Sequence, residues 1–165
     1  MRCMALGVLV CGCLSLGTPA HAQTADPQIV APINKFIETF NKGDAAGAAA
    51  THAAGADLVI IDEVAPYAWH GAQAFQVWAT DLQNNDKSLG ITDEHVAVGA
   101  ATRVETTGDS AYVIVPAVYT FKDKGVAMRA NAQMTVVLKK GTDGWLIHGW
   151  TWTGPRAHKV TAAGK

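Results

Sequence analysis

The sequence predicts an α+β fold in which three helices pack on one face of a strongly curved, mainly antiparallel sheet. The element order is α-α-β-α-β-β-β-β, and such an arrangement closes into a cone with one open end. Two observations carry this. Apolar residues recur with helical spacing as far as Asp86, then alternate with a period of two from Val96 to Thr153. The separators between the alternating runs (Thr107-Gly108-Asp109, Lys122-Asp123-Lys124-Gly125 and Gly141-Thr142-Asp143-Gly144) are the short turns of a strand meander. Composition agrees. The chain has 165 residues, 49% hydrophobic and 16% charged, which suits one domain with an ordinary core and not a disordered chain.

Residues 1–22 read as a secretory signal. Arg2 is the positive start, Met4 to Leu16 an apolar core, and Ala20-His21-Ala22 an A-x-A site with cleavage expected between Ala22 and Gln23. Export to the periplasm or beyond follows as the expected location. All three cysteines (Cys3, Cys11 and Cys13) would leave with this segment, so the mature chain would hold no thiol. Residues 23–28 read as a mobile leader, 29–155 as the domain, and 156–165 as a polar, disordered tail.

The first helix is expected from Ala31 to Lys42, since Pro32 loses a backbone hydrogen bond in any longer one. Ile33, Phe36, Ile37 and Phe40 form its apolar stripe. Gly43 ends it, Asp44 caps the next, and Ala45 to Ala54 reads as an alanine-rich second helix. Leu58 to Ile61 is a short buried strand running into Asp62-Glu63. Pro66, Tyr67, Trp69 and His70 read as a loop. Gly71 to about Asp86 is the third helix, with Ala74, Phe75, Trp78 and Leu82 on one face. Four long strands follow, and Pro116 marks a bulge or an edge position.

The formal charge of −1, without any Lys/Arg run, offers no footprint for nucleic acid. No apolar stretch reaches the roughly 20 residues of a membrane-spanning helix, and no repeat of solenoid length occurs. No metal motif, P-loop, dinucleotide fingerprint or nucleophile elbow is present, so no cofactor or metal is expected.

Four strings give the chain a family resemblance: Phe36-Ile37-Glu38-Thr39-Phe40-Asn41-Lys42-Gly43-Asp44, Val59-Ile60-Ile61-Asp62, Trp69-His70-Gly71, and Asp143-Gly144-Trp145-Leu146-Ile147-His148-Gly149-Trp150. Together they resemble the nuclear-transport-factor-2-like superfamily, which includes SnoaL-like cyclases, ketosteroid isomerases, scytalone dehydratase and limonene-epoxide hydrolase. The resemblance implies the cone fold and a cavity inside it. It leaves activity open, because the superfamily mixes enzymes with binding and scaffold domains.

Asp62 is the leading candidate for chemistry. A strand of four apolar residues delivers it to the rim of the core, where partial burial raises a carboxylate's pKa and suits a general base. The resemblance implies the same, since the isomerase base stands nine residues before the glycine that opens the third helix, as Asp62 does before Gly71. The resemblance also marks losses. Phe36 stands where isomerases carry an oxyanion tyrosine, and Thr135, give or take one residue, where they carry a protonated aspartate. Arg129-Ala130-Asn131 keeps the arginine of the epoxide-hydrolase pattern and loses its carboxylate.

Alternation places Arg129, Asn131, Gln133 and Thr135 on one strand face, and the resemblance favours the cavity side for them, as ligand contacts. It likewise places His148, Trp150 and Trp152 together, with His148 as a candidate acid–base partner of Asp62 and the tryptophans as cavity wall. Tyr67, Trp69 and His70 stand where the resemblance implies the cavity mouth, and Phe36 is also expected to touch ligand. His52 and His95 read as structural or surface residues. Three functions stay open: acid–base catalysis of isomerase, cyclase or dehydratase type by Asp62 on a small apolar carbonyl compound, non-catalytic binding of a small hydrophobic molecule, and a dimeric interaction domain. A homodimer is expected under all three.

Overall fold

The structure, a computed structural model, describes residues 26–161. The expected signal segment, the cleavage site and the three cysteines lie outside the described residues.

Helix α1 (Pro27–Asn41) begins four residues earlier than expected. The Asp26 carboxylate accepts from the Gln28 N–H at 2.9 Å, and Pro27 at the first helical position already has the φ a helix requires. Pro32 does lie inside, but burial of Ile29, Ile33, Phe36 and Ile37 along one stripe holds the helix through the missing bond. The segment 23–28, expected as a mobile leader, is therefore the first turn of α1 from Asp26 onward. At the other end, the Asn41 side chain donates to the Val96 carbonyl and accepts from its N–H, both at 2.8 Å. That reciprocal pair fastens α1 to the sheet.

Helix α2 (Ala45–Ala49) is much shorter than the expected Ala45 to Ala54. The chain leaves the helix because its backbone finds a better partner in the last long strand: Ile147 N–H donates to the Thr51 carbonyl at 3.0 Å and Ala53 N–H to the Ile147 carbonyl at 2.8 Å. Strand β1 (Val59–Ile61) follows, then β2 (Ala68–His70), a strand where a loop was expected. Helix α3 (Ala74–Leu89) ends at Gly90, whose φ of 75° and ψ of 33° form the left-handed cap that a side chain would resist.

The remaining strands are β3 (Ile91–Val98), β4 (Arg103–Thr107), β5 (Ser110–Asp123), β6 (Val126–Gly141), β7 (Gly144–Thr153) and β8 (His158–Lys159). They build one eight-stranded sheet in the order β2-β1-β7-β6-β5-β3, with β4 beside β5 and β8 beside β6. Among the described strands β1 runs parallel to β7 and the other pairs are antiparallel; His52 adds an isolated parallel bridge to Ile147. Two expectations change here. The run from Val96 to Val104 is two strands, both on the same edge of β5, and it breaks opposite Pro116, which has no N–H to offer that edge. Part of the expected disordered tail pairs with Met128 and Arg129 as β8.

The core lies between the helices and the concave sheet face. Ala111, Val113, Val115 and Ala117 of β5 stand opposite Leu138, Val136, Met134 and Ala132 of β6. Small and branched side chains fill the narrow end. Further along β5 the same face carries Tyr119 and Phe121, and there the cone opens.

Candidate functional site

The open end holds a cavity of about 380 Å³, within the range of small-molecule sites. Its floor is aromatic. Phe36 packs edge-on to Trp78 at 6.1 Å between ring centres and tilted against Trp150 at 5.7 Å, and Trp78 meets Trp150 edge-on at 5.0 Å. Tyr119, Phe121 and Trp152 continue the wall on the sheet side.

Asp62 lies just past the end of β1 and lines this cavity. Two donors orient its carboxylate. Trp78 Nε1–H donates to Oδ2 at 2.7 Å, and the Glu63 backbone N–H donates to Oδ1 at 2.7 Å. Burial pushes its pKa above the ordinary carboxylate value, and these two hydrogen bonds only partly oppose that rise. Glu63, on the same rim, is raised by its own desolvation and by the charge of Asp62.

The cavity contains a second acidic wall that the sequence did not disclose. Asp86, in the last turn of α3, is 8% exposed and accepts from the Asn85 amide at 3.2 Å. Its pKa is raised, chiefly by burial. Behind it stands Glu94, whose pKa burial and the neighbouring Asp86 push up to about 7. A bulge in β3 brings Glu94 there, between Thr92 and His95, with Asp93 at a φ of 56°. Burial and the surrounding carboxylates, Glu94 and Asp86 foremost, drive the Tyr119 phenol pKa far upward, so it stays protonated.

Of the residues singled out in the sequence, Asp62, Phe36, Tyr67, Trp150 and Trp152 line the cavity. Several others do not. Arg129, Asn131, Gln133 and Thr135 lie on the outer face of β6, where Arg129 Nε donates to Asn131 Oδ1 at 3.1 Å. The inward parity belongs to Ala130, Ala132, Met134 and Val136, and Met134 is the member that reaches the cavity. Trp69 is buried in the core, and its indole N–H donates to Asp81 Oδ2 at 2.8 Å instead of facing a ligand. His70 is exposed on β2, away from the cavity lining.

His148 is not a partner of Asp62. Leu138 pairs with Ile147 and the adjacent Val137 with Gly149, so His148 is the extra residue of a bulge in β7. The bulge shifts the parity: Ile147, Trp150 and Trp152 face inward, and His148 does not. Its charged neighbours are Lys139 and Asp57, and desolvation lowers its pKa. Its Nδ1 is buried without a hydrogen-bond partner.

His52 proves to be a core residue. Trp150 Nε1–H donates to His52 Nε2 at 3.1 Å, which leaves the proton on Nδ1, facing the Ala48 carbonyl at 3.0 Å. Burial drives its pKa down to about 4. A neutral imidazole thus fixes the indole that lines the cavity.

Among the described residues no group of three or more His, Cys, Asp and Glu side chains is placed to hold a metal ion. No helix among them is long and apolar enough to cross a membrane.

These features define a class: an open α+β cone with an aromatic cavity and a half-buried carboxylate at the end of its first strand. A family model described as the SnoaL-like domain matches residues 29–150, and the chain belongs to that family. Among solved structures it resembles a nuclear transport factor 2-like superfamily protein from Salmonella enterica serovar Typhimurium LT2, at 15% identity and a TM-score of 0.64, covering 78% of this chain and 89% of that one. It also resembles a ketosteroid isomerase-like protein from Erwinia carotovora atroseptica, at 22% identity and a TM-score of 0.59, covering 76% and 92%. A hexachlorocyclohexane dehydrochlorinase of type 2 is similar at 11% identity and a TM-score of 0.63, covering 81% and 89%. At these identities the likeness is one of fold. No curated protein matches the chain.

Proposed function

We propose that the cavity is an acid–base site in which Asp62 removes a proton from a small, largely apolar carbonyl compound, in an isomerisation, cyclisation or dehydration. The observation that carries this reading is the Asp62 carboxylate itself: it lines the cavity, is partly shielded from water, and is aimed by Trp78 and the Glu63 N–H. A carboxylate oriented and desolvated in this way is a stronger base than one in water. Tyr119, held as a neutral phenol, is the hydrogen-bond donor for a developing oxyanion that Phe36 does not supply. That relatives of this fold are described as an isomerase-like protein and a dehydrochlorinase supports proton abstraction as the shared step.

The test is deuterium uptake from solvent into a panel of cyclic enones and aromatic ketones, followed by mass spectrometry. Wild-type protein is expected to speed exchange at the acidic carbon, and Asp62→Asn to slow it by about 10²–10⁴-fold. Equal exchange by the two proteins would leave Asp62 without a catalytic role.

A second reading, binding without chemistry, draws on one observation: among the described residues no Lys, Arg or His lines the cavity to act as an electrophile. Under either reading we propose an exported chain that pairs with a second copy. Tyr112 and Val137, opposite each other on the outer sheet face, are exposed with Leu146 nearby, which supports a homodimer that sedimentation at micromolar concentration would detect.

A further inference from the structure

We infer that the ligand of this cavity is an organic cation: an ammonium group carried on an apolar frame. The inference rests on the cavity being the functional site, and it deepens that reading by naming the charge of the substrate.

Two independent features of the lining select the same sign. The first is formal charge. Asp62, Glu63 and Asp86 line the cavity, and among the described residues no basic side chain does. Lys122 pairs with Asp93 at 2.6 Å, and Lys87 lines a neighbouring depression between the helices, which shares Asp86 with the cavity, but not the cavity itself. The second is the wall between the carboxylates. Trp78, Trp150, Trp152 and Tyr119 line the same cavity, and the electron-rich face of an aromatic ring attracts a cation and repels an anion. An apolar neutral ligand would satisfy the rings and leave the carboxylates desolvated and unpaired. An anion would be repelled by both. A cation on an apolar frame gives each group a partner.

The acids also stand in the wrong arrangement for a metal. They come from separate walls, Asp62 and Glu63 from the end of β1 and Asp86 from the last turn of α3, and among the described residues no three metal-ligating side chains converge. An ammonium group needs no such convergence. The two walls suggest a division of labour: Asp62, already held by two donors, takes the proton, while Asp86, flanked by the Asn85 amide and the Glu94 carboxyl, receives the charge.

Three probes of one shape test this by calorimetry near neutral pH: 2-naphthylmethylammonium, 2-naphthylmethanol and 2-naphthoate. The ammonium is expected to bind about tenfold more tightly than the alcohol, with the carboxylate weakest and with added salt narrowing the gap. Asp86→Asn should narrow the preference for the ammonium over the alcohol, by lowering affinity for the ammonium more than for the alcohol. Glu63→Gln, at the exposed rim, should narrow it without any risk to the fold. Equal or tighter binding of the alcohol or the carboxylate would overturn the inference and leave the acid–base reading intact. Failure of all three probes at millimolar concentration would overturn both the inference and the cavity as a site. Failure of the catalytic reading alone would appear elsewhere, as unchanged deuterium exchange in Asp62→Asn.

Discussion

The side chains that matter most here are held by indole N–H groups. Trp78 stabilises the charged form of Asp62. Trp78→Phe should therefore raise the Asp62 pKa further. Because a general base works only when ionised, the acid limb of a pH–rate profile should move to higher pH in this variant, which a kcat/KM profile measures. Trp150 leans on His52 in the same manner. Replacing His52 by Phe keeps an aromatic ring but strands the indole donor in the core, at a cost of about 1–3 kcal/mol in urea unfolding. Adding Trp150→Phe should return part of that loss. His52 also has a sign that can be checked. Its folded pKa, about 4, lies below its ordinary 6.5, so its stabilising contribution is present above 6.5 and is lost as pH falls toward 4. Stability of His52→Phe should show less of that decline.

At the scale of elements, the faces of the strands decide which residues form the site. On β6, Met134 is 2% exposed and faces the core, whereas Gln133 faces outward. Met134→Ala should cost about 2–5 kcal/mol and weaken ligand binding. Gln133→Ala should change stability by no more than about 0.5 kcal/mol and leave binding alone, as parallel denaturation and titration would show. Element types were largely legible in the sequence, because helical and two-residue periodicities are strong and the turns carry Gly and Asp. Asp62 was legible for a related reason: an apolar strand aims its last residue at the core rim. The failures are local. Alternation cannot reveal a bulge, so the extra residue put His148 out of phase with Trp150 and Trp152, whose inward face was read correctly. On β6 the periodicity was right and only the choice of face was wrong. Asp86 and Glu94 were missed because each looks like an ordinary surface acid until α3 and a bulged β3 bring them together. The short β2 was hidden by the turn at Pro66 before it, and α2 ended early for a long-range reason, the pairing of Thr51 and Ala53 backbone with Ile147.

For the whole molecule, the cone gathers acids where water is scarce, and this ties stability to pH. The groups facing one another around the open end are Asp62 and Glu63 after β1, Asp86 on α3, Glu94 on β3 and Tyr119 on β5. Tyr119 stays neutral throughout the accessible range, so the carboxyls alone titrate. Each of the four is raised in the folded state. A raised acid binds its proton more tightly folded than unfolded, so its contribution is fully present below the ordinary pKa and is lost as pH rises through the folded value. For Glu94 that window runs from its ordinary 4.5 to about 7. His52 acts in the opposite direction over much of the same range, which makes the raw pH profile a poor witness. The difference between wild type and Glu94→Gln removes His52 and every other shared group. Glutamine keeps the shape of the side chain and a donor for Asp86 but has no proton to lose. Thermal unfolding of the two proteins across that window should therefore diverge: the melting temperature of wild type relative to the variant should fall as pH rises from 4.5 toward 7 and then level off. A constant difference would mean that Glu94 feels neither burial nor Asp86, and that the second acidic wall does not exist as a unit. The same difference measured with 2-naphthylmethylammonium bound should shrink, because a cation in the cavity stabilises the ionised carboxyls that the empty cone disfavours.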